Sequence, residues 1–252
     1  MIPREWGTSR VLRQAAGALT ALACAFASHT HAGSFDVNPI RIDLSGSARN
    51  AALTLKNTGS EPVVVQINAM SWAQQEGKDI LNPTDEILVS PPIATIQPER
   101  EQIIRVGLRR APDTQKEISY RLFLQEVPPP PAPGFQGLQV ALRIGIPIFV
   151  QPRQGPAKAT LVWDAQLRTA DVINLKLRND GTGHIQVSDV ELYLRDEKEP
   201  IAAQSSLAYV LPGQSREWDL KLRHPRVTKN DRVRLKVSTD AGTVDVDISL
   251  AP

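Results

Sequence analysis

From Gly33 onward, apolar and polar residues alternate with a period of two, and no window of about 12 residues carries an apolar stripe at helical spacing. The pattern predicts an all-β chain. In the first half it places strands near 34–44, 49–57, 62–72, 86–96, 101–109, 117–127 and 136–150. Turn clusters separate them at Ser45-Gly46-Ser47, Asn57-Thr58-Gly59-Ser60, Gln75-Glu76-Gly77-Lys78 and Gln97-Pro98-Glu99. Short strands at this spacing predict a β-sandwich of immunoglobulin type. Two prolines and a glycine between Gln151 and Pro156 then break the alternation, as a linker would. A second block follows, with strands near 158–164, 171–179, 185–194, 206–210, 214–222, 232–239 and 243–250. The expected organisation is two immunoglobulin-like β-sandwich domains, residues 33–152 and 153–252, held by their short linker at a fairly fixed angle around a cleft. The two blocks also echo each other: Leu53-Thr54-Leu55-Lys56-Asn57-Thr58-Gly59 resembles Leu175-Lys176-Leu177-Arg178-Asn179-Asp180-Gly181. Strand-and-turn chemistry alone produces such an echo, so it supports a duplication without requiring one.

Ahead of Gly33 the pattern is different. Arg4, Arg10 and Arg13 precede an uncharged run of small and apolar residues from Ala15 to Ala27, the layout of a secretory signal. Cleavage is expected after Thr30-His31-Ala32, with Ala25-Phe26-Ala27 as a second candidate. The run is about half of the roughly 20 residues that a bilayer-spanning helix needs, so residues 1–32 predict export rather than anchoring. They carry three arginines and Glu5, and their removal takes the formal net charge from +2 to zero. Cys24, the one cysteine, leaves with them, so neither a disulfide nor a thiol site is expected in the mature chain. Acylation of Cys24 as a lipoprotein is the alternative; Ala21-Leu22-Ala23 lacks a leucine at the third position before it. About 220 residues remain, enough for two domains of ordinary size, and 20 prolines with few aromatics favour short strands.

Catalytic chemistry finds little to work with. There is no Gly-x-Ser-x-Gly elbow, no Ser-x-x-Lys, no His-Glu-x-x-His and no phosphate-binding glycine loop. His184 and His224, at opposite ends of the second block, sit beside turn residues and read as loop histidines rather than a metal pair. Asp245 and Asp247 alternate with Val244, Val246 and Ile248, which makes them a solvent face. No catalytic residue, metal or cofactor is expected, and the chain does not read as an enzyme.

The segment that stands out runs from Leu138 to Val150. Leu138, Val140, Leu142, Ile144, Ile146, Ile148 and Val150 form one apolar row, more than twice the usual strand length. Pro147 within it is tolerated mainly on an edge strand. A long apolar edge is an aggregation hazard unless pairing with another chain is its purpose. Periodicity leaves two readings open, an ordinary long core strand and an edge offered to a partner.

These residues resemble the periplasmic chaperones of the chaperone–usher pilus pathway across essentially the whole mature chain. The resemblance rests on Val37-Asn38-Pro39-Ile40-Arg41-Ile42, Leu53-Thr54-Leu55-Lys56-Asn57, Tyr120-Arg121-Leu122-Phe123-Leu124-Gln125-Glu126-Val127-Pro128-Pro129 and the row closing at Pro152. It implies two immunoglobulin-like domains arranged as a boomerang, in the periplasm. The implied partners are pilin-type subunits and an outer-membrane usher, with no nucleic acid and no stable membrane insertion. The seventh strand is lent to a subunit whose own sandwich lacks a strand, and by the motif Leu138, Val140, Leu142 and Ile144 are the donating positions. Burying each such side chain gains about 1.5 to 3 kcal/mol. A basic pair anchors the carboxylate at the subunit's C-terminus. Arg41 matches the first member, while Pro147 stands where the second, a lysine, is usual, leaving Arg121 and Arg143 as candidates. An ionic network between the domains is also implied: Glu117 and Asp240 match its acids, whereas its arginine is here Gln151.

Two rival readings predict other features. A secreted tandem of sandwiches serving binding or adhesion calls for an exposed aromatic platform, yet Trp72, Trp163 and Trp218 are scattered near different strand ends. A secreted hydrolase on a β-sandwich calls for a polar constellation, and none stands out.

Overall fold

The computed structural model describes residues 35–131, 133–134, 137–194, 197–223, 227–228 and 230–251. Residues 1–34, which include Cys24 and the expected signal, lie outside the described residues, as do Gln136 and His224. Every regular element among the described residues is a β-strand. The first ten are β1 (Phe35–Asn38), β2 (Ile42–Leu44), β3 (Asn50–Asn57), β4 (Val63–Gln75), β5 (Lys78–Pro83), β6 (Ile87–Ser90), β7 (Ile93–Ile96), β8 (Glu101–Leu108), β9 (Ile118–Val127) and β10 (Arg143–Val150). They form one sheet in the order β1-β3-β8-β6 and a second in the order β2-β10-β9-β4-β5, with β7 also paired to β4. Alternation buries one face of each sheet: Leu53, Leu55, Ile104 and Val106 meet Ile67, Tyr120, Leu122, Ile146 and Ile148 in a continuous core.

The second sandwich comprises β11 (Leu161–Thr169), β12 (Val172–Asn179), β13 (Ile185–Leu194), β14 (Ala202–Val210), β15 (Ser215–Lys221), β16 (Arg232–Thr239) and β17 (Gly242–Ala251). Its strand order is β14-β13-β16-β17-β11-β12-β15, the two layers being joined where β17 pairs in parallel with β11. Leu175, Leu177, Val187, Leu192, Leu235 and Trp218 fill its interior. The chain therefore has the two immunoglobulin-like sandwiches that its alternation predicts.

Several strands depart from the expected boundaries, and prolines account for most of the differences. The strand expected over 34–44 divides at Pro39, so that β1 joins one sheet and β2 the other. The strand expected over 86–96 divides at Pro91-Pro92 into β6 and β7. An unanticipated strand, β5, returns along β4 through Glu76-Gly77, both at positive φ (51° and 73°), as a tight hairpin requires. At the start of the second block, Lys158 and Thr160 do not begin a strand because the 179–183 turn occupies their backbone. Asp180 donates to the Thr160 carbonyl and Thr182 to the Lys158 carbonyl, both at 2.8 Å. That approach is so close that a Cβ on Gly181 would collide with the Lys158 carbonyl oxygen.

The sequence echo is a shared structural device. Asn57 and Asn179 are both fully buried. Each spans its turn by donating to the carbonyl four residues on (Glu61 at 2.8 Å, Gly183 at 2.8 Å) and to a carbonyl of another strand (Ile96 and Val210, both at 3.0 Å). Each also accepts from the glycine two residues on. A buried amide is stable only when its groups are paired in this way.

Candidate functional site: the junction between the sandwiches and the open edge of β10

The long row of the sequence is a shorter strand in the structure. Regular pairing begins at Arg143, not near 136, and runs to Val150 against β9. The cause is on the neighbouring strand: β9 ends at Val127 and is followed by Pro128-Pro129-Pro130-Pro131, which has no N–H groups to extend a ladder. The last link is made by Leu142, whose carbonyl accepts from the Glu126 N–H at 2.9 Å and whose N–H donates to Glu126 Oε2 at 3.1 Å. Beyond it the row leaves the sandwich. Ile144 packs against the core and Leu142 is half-buried, whereas Val140 is 51% and Leu138 80% exposed.

The other edge of β10 is covered only at one end. β2 pairs with Ile148–Val150 in parallel, and the edge from Arg143 to Pro147 faces no strand among the described residues. The Leu142–Glu126 bond sets the even-numbered residues of β10 as those hydrogen-bonded to β9. Pro147 therefore turns its nitrogen to the open side, where the missing N–H breaks no bond.

Arg121 lies directly across from Pro147 in the ladder, and Arg41 precedes Ile42, the partner of Ile148. Arg41, Pro147 and Arg121 thus succeed one another across three strand positions, on the face opposite the core, with about 10 Å between the two arginine backbones. The guanidinium carbon of Arg121 lies over the Trp72 ring, 3.9 Å from its centroid, and 5.4 Å from that of Tyr209. Burial draws its guanidinium below its ordinary value, with Asp79 and Tyr209 opposing. Tyr209, between the two arginines, has its phenol raised by burial, while the charges of Arg121 and Arg41 act the other way. Arg143 stands apart from this row: it pairs with Gln125 and lies over Phe123 at 4.0 Å, four residues toward the open end.

The same face carries the contact between the sandwiches. Trp72, Phe149 and Leu211 form a small buried cluster, with Tyr209 packed edge-on to Trp72 at 5.4 Å. Gln74 of β4 receives the Leu211 N–H and donates to the Tyr209 carbonyl, both at 3.0 Å, which ties β4 to the end of β14. Trp218 is also buried, and Trp163 packs beside it at 6.2 Å, so the tryptophans of the two sandwiches are core and junction residues rather than an exposed platform.

Beside the cluster lies a cavity of about 490 Å³, lined by Arg41, Glu117, Gln151, Lys158, His184 and Asp240. His184 does sit in the turn before β13, but its ring is not a loop side chain in solvent. It is 9% exposed, stacked on Phe149 at 3.4 Å, and set between two acids. Its Nδ1 is 2.7 Å from Glu117 Oε1 and its Nε2 3.6 Å from Asp240 Oδ2, an ion-pair distance. Asp240 also receives the Gln186 N–H at 2.9 Å and Arg41 Nη1 at 3.4 Å. Gln151 reaches Glu117 at 3.5 Å, without a charge. The network whose arginine is missing from the linker is therefore closed by a histidine from the second sandwich. Sequence reasoning missed it, although two acids expected to share a cation, with Gln151 in its place, were a signal to look for another.

Comparison with known proteins follows the same outline. A family model described as pili and flagellar-assembly chaperone, PapD N-terminal domain, matches residues 34–156. Among solved structures, the chain is similar to the CsuC–CsuE chaperone–tip adhesion subunit pre-assembly complex from archaic chaperone-usher Csu pili of Acinetobacter baumannii. The TM-score is 0.63 at 21% identity, over 86% of this chain and 98% of that one. The Salmonella enterica SafA pilin in complex with the SafB chaperone gives 0.60 at 19% identity, over 88% and 98%. The CupB2 chaperone of Pseudomonas aeruginosa gives 0.56 at 19%, over 86% and 100%. At these identities the likeness establishes the fold. No curated protein sequence matches the chain.

Proposed function

We propose, from the match of residues 34–156 to the family model of the PapD N-terminal domain of pili and flagellar-assembly chaperones, that the chain is a periplasmic chaperone that captures pilus subunits by donor-strand complementation and delivers them to an outer-membrane usher. Residues 1–32 serve as its export signal, residues 33–152 as the subunit-binding domain and residues 153–252 as the second domain. The observation that carries the reading is the row Leu138, Val140, Leu142 and Ile144, which runs from Ile144 at the edge of the core through half-buried Leu142 to Val140 and Leu138 in solvent.

A subunit lacking one strand exposes a groove, and this row is a ready-made apolar edge to fill it. Four buried aliphatic side chains contribute several kcal/mol after ordering costs, a gain that a better-fitting strand can replace. An added strand finds odd-numbered N–H groups on the open edge of β10 as far as Gly145 and none at Pro147. A terminal carboxylate arriving at that level depends on side chains instead, and Arg41 and Arg121 flank it. Arg143, farther along, borders the path of the subunit's chain. Neither enzymatic chemistry nor a cofactor enters this mechanism.

The test is recovery of the tagged chain from its own periplasm, beside Leu142→Arg. Wild type is expected to bring down a small β-rich subunit at a ratio of about one to one, and the variant to come down alone. Wild type coming down alone, or both chains with the same partner, contradicts the reading.

A further inference from the structure

Asp240 serves two basic side chains at once. Its Oδ2 is 3.4 Å from Arg41 Nη1 and 3.6 Å from His184 Nε2, so the arginine facing the open edge and the histidine of the junction draw on one carboxylate. The histidine has little freedom to turn elsewhere. Phe149 covers its ring, and Glu117, with a side chain only 1% exposed, holds Nδ1 at 2.7 Å and the backbone N–H at 3.2 Å. Among the described residues, His184 is the one cationic partner within ion-pair distance of Glu117.

We propose that His184 is a positioning residue for Arg41, acting through Asp240. As imidazolium it holds Asp240 back and leaves Nη1 of Arg41 open to an incoming carboxylate, while Nε stays on Asp43 at 3.1 Å; as neutral imidazole it releases Asp240 onto Nη1. The inference rests on the reading of Arg41 as the anchor of a subunit's terminal carboxylate.

The groups facing the ring fix the sign. Glu117, Arg41 and its neighbour Asp43 come from the first sandwich, and Lys158 comes from the cavity wall. Asp240 and Tyr209, the latter at 5.8 Å between ring centroids, come from the second sandwich. Burial opposes a charge on His184, but hydrogen bonding to Asp240 and Glu117 and their charges outweigh it, so its proton is held above the ordinary value of 6.5. Asp240 is held below the ordinary carboxylate range: burial works against this, and His184, the Gln186 N–H and Arg41 overcome it. A group whose folded value is raised contributes fully below the unfolded value and is lost as pH rises through the folded one. The open state of Arg41 therefore prevails below about pH 6.5 and gives way as pH rises through the raised His184 value. An arginine in the same place would stay charged throughout.

The experiment needs no subunit. In the free mature chain, the Arg41 guanidinium resonances, Nη as well as the Asp43-bonded Nε, and the His184 ring carbons are followed by NMR over about pH 5 to 9. In wild type the two are expected to titrate with one midpoint, above 6.5. In His184→Gln the Arg41 resonance stays flat. In His184→Arg it also stays flat, near its wild-type low-pH position. An Arg41 signal that ignores the histidine's titration, or that titrates unchanged in His184→Arg, overturns the proposal, and this pair of tests stands even if His184→Gln does not fold. These outcomes leave the chaperone reading untouched, because that reading stands or falls on subunit capture.

Discussion

The two ends of one apolar row behave in opposite ways. From Ile146 to Val150 the row is built into the protein: β9 flanks it throughout and β2 from Ile148 onward, its core-facing residues are at most 1% exposed, and Phe149 on the other face is sealed under the second sandwich. From Leu138 to Leu142 the same alternation continues, but neighbouring prolines remove the ladder and the core ends beneath it. Apolar alternation records which side chains need burial. It does not record whether the burying surface lies in the same chain.

The largest expected effects separate the two ends by what they damage. Phe149→Ala should cost about 3 to 5 kcal/mol of stability in chemical denaturation, as a fully buried aromatic does. Leu138→Ala should leave the unfolding midpoint at its wild-type value and weaken only subunit capture. Equal stability losses in the two variants would erase the distinction. A smaller effect sharpens it at the boundary between the ends: Arg121→Ala should weaken capture by about 1.5 to 3 kcal/mol, the worth of a hydrogen bond to a charged group. Lysine should not restore it, because the flat guanidinium that fits against Trp72 and Tyr209 has no equivalent in an ammonium. Binding isotherms with the recovered subunit measure both variants.

How much of this was legible in the sequence depended on the range of the interactions. Alternation gave the strands of both sandwiches apart from β5, and β13 and β16 fall on the expected residues, because each strand's pattern reports its own burial. Pro39 and Pro91 marked where strands change sheets, yet the alternation on either side of them read as continuous. Pro128 to Pro131 ended the ladder on a strand that is separate in sequence from the row it shortens. Arg121 could be named as a candidate from the sequence, but its place across from Pro147 needed the register. His184 was the least legible, since its partners Glu117 and Asp240 are 67 and about 56 residues away and nothing in the local turn distinguishes it.

The central claim is that Leu138 to Leu142 is a strand waiting for a partner, and amide hydrogen exchange addresses it most directly. The free chain and its purified complex with the captured subunit would be compared peptide by peptide. The account predicts fast exchange over 138–142 in the free chain and strong protection there in the complex, with Ile146 to Val150 protected in both. Exchange over 138–142 that remains fast in a stable complex would mean the subunit is held elsewhere, and would contradict donation of this strand.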